Sequence, residues 1–324
     1  MAPHPYAALT PALVLDALDA VGVHGDGRLL ALNSYENRVY QAWRDDAPPV
    51  VVKFYRPQRW SDAAIAEEHA YVLELHAREI PVVPPYAVDG RTLHTHEGFR
   101  YAVYDKRGGR APDLDRADTL ERIGGFIGRI HAAGGRFAHR PRLDIATFGE
   151  QPRTYLLDEG WVPADLADAY ASVSAQALDH VRWAFERAGE VALQRIHGDC
   201  HGGNVLWTDD GPHFVDFDDA RNGPAVQDLW MLLSGDRAAM EAQLRHVLDG
   251  YERFRGFDRR ELHLVEALRT LRLLHYAAWI AQRWEDPAFP AAFPWFDGQR
   301  YWQDRILELR EQVALMDEPP LAVE

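Results

Sequence analysis

Between Arg195 and Asp219 the chain reads RIHGDCHGGNVLWTDDGPHFVDFDD, a stretch that limits the possible fold more than any other. It interrupts a half of the chain that otherwise repeats apolar residues at helical spacing, over 120–133, 166–188, 237–254 and 260–284. Two short β-like pieces, 204–208 and 213–217, flank an Asp-Asp-Gly-Pro turn and predict a hairpin inside a mainly α domain. The earlier part of the chain has the opposite character. RLLALNSYENRVYQAW and PPVVVKFYRP are β-rich runs separated by turn-forming residues 45–49, and strand-like segments recur at 82–88, 92–94 and 99–104. Helices are expected over 11–22, stopping at Gly22, and over 61–78, where Ser61 is a cap and Ile65, Val72 and Leu75 share a face. With 324 residues, about two domains are expected, divided at the polar break Lys106-Arg107-Gly108-Gly109-Arg110 into 1–105 and 106–324.

Within the hairpin region Asp199 precedes Asn204 by five residues, with glycines that let the loop turn tightly, and Asp216 follows twelve residues later. Phosphoryl transfer needs one carboxylate to take or orient the attacking hydroxyl, and oxygen ligands for a divalent cation on the phosphates. These three side chains are of the right kind. His197, Cys200 and His201 suggest zinc as an alternative. The two histidines are four apart in a glycine-rich loop, however, without the helix that makes such a spacing converge on one ion.

The Asp-to-Asn spacing resembles the protein-kinase catalytic loop H-R-D-x-x-x-x-N, and Asp216-Phe217-Asp218 resembles its D-F-G. The His-Gly-Asp-x-His-x-x-Asn variant is similar to the aminoglycoside and choline phosphotransferase branch of the protein-kinase-like superfamily. LNSYENRVYQ, VVKFYRP, HGDCHGGN and VDFDDARNGPAVQDLWMLL, together spanning residues 32–233, resemble the bacterial stress-response serine/threonine kinases of that branch, and PAFP and FPW extend the match. The resemblance implies a bilobal α+β fold, with a small N-terminal lobe of antiparallel sheet and one main helix and a larger, mainly α lobe. It implies Asp199 as catalytic base, with Asn204 and Asp216 as Mg2+ ligands. Lys53 would hold the ATP phosphates and pair with Glu68, or alternatively Glu67. Asn33-Ser34-Tyr35-Glu36-Asn37-Arg38 stands where a G-x-G-x-x-G loop would be, which makes Ser34, and after it Asn37 or Arg38, phosphate contacts. Gly198 replaces the arginine that reads a phosphorylated activation loop. His201, close to the base, is expected to give the rate a pH dependence. Asp228 would brace the catalytic loop through backbone hydrogen bonds.

The activity implied is ATP-dependent phosphorylation of protein Ser/Thr hydroxyls, in bacterial stress response and protection from stress-induced death. A kinase of amino alcohols, sugars or aminoglycosides is the alternative, and a non-catalytic nucleotide-binding module a third. Lys plus Arg number 35 against 50 Asp plus Glu, and a net charge of -15 argues against nucleic-acid partners. The single cysteine and the lack of a leader or long apolar run are read as a cytoplasmic protein that avoids membranes, with a monomer as the default. Trp279, Trp284, Phe289, Phe293, Trp295, Phe296, Tyr301 and Trp302 form a late aromatic cluster, read as core first and as an acceptor wall second. Arg56 and Arg59 are expected on a solvated face, as are Arg107 and Arg110 unless they line a cleft.

Overall fold

The computed structural model describes residues 4–323 and divides them into two units. The first comprises the described residues up to Asp113 together with Phe137–Arg140 and His201–Ala220. Thr10 starts its first element, α1 (Pro11–Asp19), by accepting a hydrogen bond from the Leu13 N–H, with proline at the first helical position. The sheet is β1 (Leu29–Ala31), β2 (Arg38–Ala42), β3 (Val50–Phe54), β4 (His94–His96) and β5 (Phe99–Asp105). Their spatial order is β1-β2-β3-β5-β4, antiparallel throughout. Central β3 places Lys53 opposite Val39 on one side and Ala102 on the other. Its neighbours Val50, Val52 and Phe54 bury completely with Val14, Leu18 and Tyr101, so the strand carrying the lysine is anchored by the hydrophobic core of this unit.

Ser61 caps α2 (Asp62–Ala77) by accepting from the Ala64 N–H, and Ile65, Glu68, Val72 and Leu75 bury along one stripe. Glu68 is the carboxylate on that apolar face. A hairpin does follow downstream, Val205–Thr208 paired with Gly211–Phe214, but its second strand begins within the expected turn and ends before the expected 213–217 is complete, Phe217 entering a 3-10 turn. The chain leaving β5 runs along the hairpin: Arg110 and Trp207 exchange backbone bonds of 3.0 and 2.7 Å. Gly109 is required there, since a Cβ would lie 2.7 Å from that of Leu206. Two more expectations are corrected. Residues 82–88 make isolated bridges at Val82, Pro85 and Val88 instead of a strand, because Pro81, Pro84 and Pro85 have no N–H to give a ladder. The next strand is His94–His96, not 92–94.

The second unit, built from Leu114–Arg136, Pro141–Cys200 and Arg221–Glu324, is helical. It contains α3 (Ala117–Ala132), α4 (Gln151–Asp158), α5 (Ala167–Ala188), α6 (Gln227–Trp230), α7 (Arg237–Tyr251), α8 (Val265–Ala281), α9 (Ala288–Ala292) and α10 (Gln299–Asp317). A two-stranded ribbon, Gln194–Ile196 against Arg221–Gly223, brackets residues 197–220 in sequence. The single helix expected over 260–284 is two elements: Asp258 caps a 3-10 turn, Arg259–Leu264, and α8 follows. The late aromatic cluster is core, with Phe289, Phe296 and Trp302 fully buried and Trp295 left outside. Among the described residues no helix is long and apolar enough to cross a membrane.

Candidate active site

In the first unit Lys53 is almost wholly buried and surrounded by carboxylates. Its ammonium lies 3.1 Å from Asp216 Oδ1, 3.2 Å from Asp218 Oδ1 and 4.0 Å from Glu68 Oε1. Burial alone would pull its pKa down, but Asp216, Asp218 and Glu68 outweigh it and hold the group well above its ordinary value. Glu68 is fixed from behind by Arg140, whose Nη2 donates to Oε2 over 3.1 Å. The same guanidinium donates to the carbonyls of Ala64, Asp218 and Ala220 at 2.9, 2.8 and 2.7 Å and stacks on Trp60. One buried arginine thereby ties α2 to the Asp-Phe-Asp segment. Glu67 points elsewhere, accepting the backbone N–H groups of Ala138, His139 and Arg140. Of the two glutamates, Glu68 is the partner of Lys53.

Asp216 adopts a left-handed conformation, φ 60°, at the start of the turn Phe217–Asp219, and its side chain is 56% exposed. Asp218 is the buried member of the pair, bonded by Arg59, which also holds Asp219 at 2.8 Å. Burial would raise its carboxyl, yet Arg59 and Lys53 bring it down to about 2. Arg56 and Arg59 are therefore not solvated as expected: Arg56 faces Glu36 at 3.6 Å, and both are drawn inward by carboxylates. Arg107 and Arg110 are exposed.

The backbone N–H of Val215 donates to the Asn204 carbonyl over 3.0 Å, which sets Asn204 beside the residue preceding Asp216. His201 caps the turn Gly202–Asn204 by accepting from the Gly203 N–H at 2.9 Å. In the loop before β2, Ser34 donates to the Asn37 carbonyl at 3.1 Å. The Asn37 carboxamide is used at both ends, giving its N–H to Asp218 at 3.1 Å and accepting from the Arg56 N–H at 3.0 Å. Asn37 thus joins the strand to the acidic turn.

Asp199 belongs to the second unit, where Arg272 of α8 donates to its Oδ1 over 2.6 Å. The loop leading to it is held from beneath by Asp228, which is completely buried. Asp228 accepts the N–H groups of His197 at 2.7 Å and Gly198 at 2.8 Å, and its Oδ2 is 2.9 Å from His131 Nε2. Gln227 adds a bond to the Gly198 carbonyl at 3.1 Å. The bracing role expected of Asp228 is what is found. Cys200 is buried, and burial, with Asp228 and Asp199, pushes its thiol well above the ordinary value, which leaves it a packing group. Among the described residues no cluster of three or more His, Cys, Asp and Glu side chains is placed to hold a metal, so the zinc alternative finds no ligand set.

Residues 28–265 match the model of the phosphotransferase enzyme family, APH. The chain belongs to that family. This phosphotransferase is 44% identical, over 98% of its own length and 96% of theirs, to stress response kinase A of Salmonella choleraesuis and of Escherichia coli K12. It is equally similar to a relative from Salmonella typhimurium named serine/threonine protein kinase RdoA. Among solved structures, amicoumacin kinase hAmiN, in complex with AMP-PNP, Ca2+ and Ami, superposes with a TM-score of 0.70 at 18% identity, covering 92% of this chain and 90% of that one. A microcompartment-associated aminopropanol kinase gives 0.70 at 18%, over 95% and 97%. The α+β protein-kinase-like fold and the enzymatic, phosphate-transferring character of the phosphotransferase follow from these likenesses.

Arg59, His131, Arg140, Gln227 and Arg272 are not singled out for these networks by the sequence. Arg140 and Arg272 sit roughly 70 positions from the carboxylates they serve, and nothing local marks them; Arg59 follows β3 closely, but an arginine there reads as surface.

Proposed function

We propose that this phosphotransferase is a serine/threonine protein kinase that uses magnesium-ATP, with residues 1–105 forming its nucleotide-binding lobe and 106–324 its catalytic and substrate lobe. The observation that carries the reading is the placing of Lys53 between Glu68 and Asp216. A buried ammonium held by carboxylates on either side is a point charge prepared for phosphate, and the pairing with Glu68 fixes where it stands. Ser34 and Asn37 lie in the loop that would cover the nucleotide.

Asn204 and Asp216 fit a magnesium ion by chemistry: both offer hard oxygen donors, Asp216 is largely open, and the Val215–Asn204 backbone bond brings their segments side by side. Bound there, the cation would neutralise phosphate charge. Asp199 takes the proton from the acceptor hydroxyl as its oxygen bonds to the γ-phosphorus, and ADP leaves with the electrons of the broken P–O bond. His201, two residues from the base, closes the turn that carries Asn204. We place the activity in the cytoplasm; a part in the response to stress is in keeping with the name stress response kinase A of its relatives.

A second reading, phosphorylation of a small alcohol, is favoured by the solved structures, whose names include an aminopropanol kinase. Incubating the protein with labelled ATP, magnesium, a generic protein substrate and a panel of small alcohols separates the two. The expected result is a phosphoprotein that disappears in Asp199→Ala; ADP release with an alcohol and no phosphoprotein under any magnesium condition overturns the protein-kinase reading.

A further inference from the structure

The Asp199 carboxylate is already bonded to a cation. Arg272 Nη1 donates to Oδ1 over 2.6 Å, and the arginine side chain is 41% exposed against 23% for the aspartate. Among the described residues Asp199 is the one hydrogen-bonding partner of the Arg272 guanidinium, which carries five N–H donors in a planar fork. Most of that fork therefore remains available to another acceptor. The arginine is not loosely held. Its neighbour Leu271 packs so closely on Gly149 that a Cβ there would lie 2.8 Å from it. One turn on, His275 stacks on Phe148 at 4.4 Å, and Arg221 covers that ring at 4.6 Å. The face of α8 that presents Arg272 is thus fixed by packing on both sides.

We infer that Arg272 determines acceptor specificity by favouring a hydroxyl with negative charge beside it, such as a serine or threonine flanked by acidic residues, and by excluding acceptors with a nearby ammonium. The inference rests on Asp199 being the base. A hydroxyl within hydrogen-bond reach of that carboxylate brings its flanking groups to within several ångströms of the guanidinium. At such separations, near a protein surface, like and unlike charges differ by enough for roughly tenfold discrimination. Cationic acceptors would have to displace or face Arg272; anionic ones gain a partner from the unused part of the fork.

Three peptides, identical except that one serine is flanked by Glu, Ala or Lys, test this with the full-length protein and magnesium-ATP. The Glu peptide should exceed the Lys peptide in kcat/KM by about tenfold, carried mainly by KM. Arg272→Gln should flatten the series, Arg272→Glu should invert it, and Arg272→Lys should keep its order. Equal use of the three peptides by the unmodified protein, or preference for Lys, overturns the inference without any variant; an unchanged order in Arg272→Gln and Arg272→Glu also does. If no peptide accepts phosphate, the same comparison is made by ADP release with glycerate and aminopropanol. Preference for glycerate then upholds Arg272 while sinking the protein-kinase reading, and preference for aminopropanol sinks both. Transfer to neither peptide nor alcohol likewise overturns both.

Discussion

The two units handle buried carboxylates in different ways. In the first, buried Glu68 and Asp218, with the exposed Asp216 beside them, share the side-chain cations Lys53, Arg59 and Arg140. In the second, Asp228 is held by two backbone N–H groups and the ring of His131. A side-chain cation can exchange one anion for another when a phosphate arrives, whereas a backbone amide cannot leave its place. The first network suits ligand exchange and the second suits fixed geometry. Their responses to mutation should differ accordingly.

The largest effect is expected where the backbone depends on the carboxylate. Asp228→Ala leaves two N–H groups and His131 without their partner in a fully buried place, and should cost about 3–5 kcal/mol in urea unfolding. Asp228→Asn can still accept but not at both oxygens, and should fall between. A loss under 1 kcal/mol for the alanine variant would show that the loop is held by other contacts. Lys53→Met makes the opposite case. Arg59 and Arg140 stay in place for Asp218 and Glu68, so the loss of stability should be smaller than for Asp228→Ala. Transfer should nevertheless fall about 100-fold or more in kcat/KM, since no cation then waits for the nucleotide. Retention of transfer to within about fivefold would place the phosphates elsewhere.

That contrast was only half legible from the sequence. Lys53 lies in a β-rich run and the Glu67-Glu68 pair in a capped helix, elements the letters fix locally, although which glutamate faces the lysine stays open; the hairpin after Asp199 stands out against helical surroundings. Asp228 is reached only through the likeness of its GPAVQDLW segment to a known family. Arg140 and Arg272 could not be located, because each reaches its carboxylate through tertiary folding over some 70 residues and leaves no local period. Helix α10 escaped for another reason. Its buried side, Tyr301, Trp302, Ile306, Leu309 and Met316, follows a proline-punctuated aromatic run that obscures where a helical stripe begins. The strand expected at 82–88 failed on chemistry already visible in the letters, three prolines in five residues.

The smallest effects expected come from two buried groups, one in each unit, on which the same force acts with opposite consequences for pH. Burial, ahead of the pull of Lys53 and Arg140, brings His69 of the first unit down to about 3. Its neutral ring meets the Tyr55 hydroxyl at 2.7 Å and Thr92 at 2.8 Å. Burial pushes Glu261 of the second unit up to about 7, although it accepts the Val226 N–H at 2.8 Å at the start of the segment leading to Asp228. Both shifts favour the neutral form. For His69 the folded value lies below the ordinary 6.5, so its contribution to stability is present above that pH and drains away as pH falls toward 3. For Glu261 the folded value lies above the ordinary 4.5, so its contribution is present below that pH and is lost as pH rises through 7. Glu261→Gln should therefore gain on the unmodified protein by on the order of 2 kcal/mol between pH 5 and pH 8. His69→Phe, whatever its fixed cost for the lost hydrogen bonds, should gain by a similar ~2 kcal/mol between pH 7 and pH 4. Differences from the unmodified protein that stay level with pH in both variants would mean that neither group is held neutral, and that charge, not burial, governs both units alike.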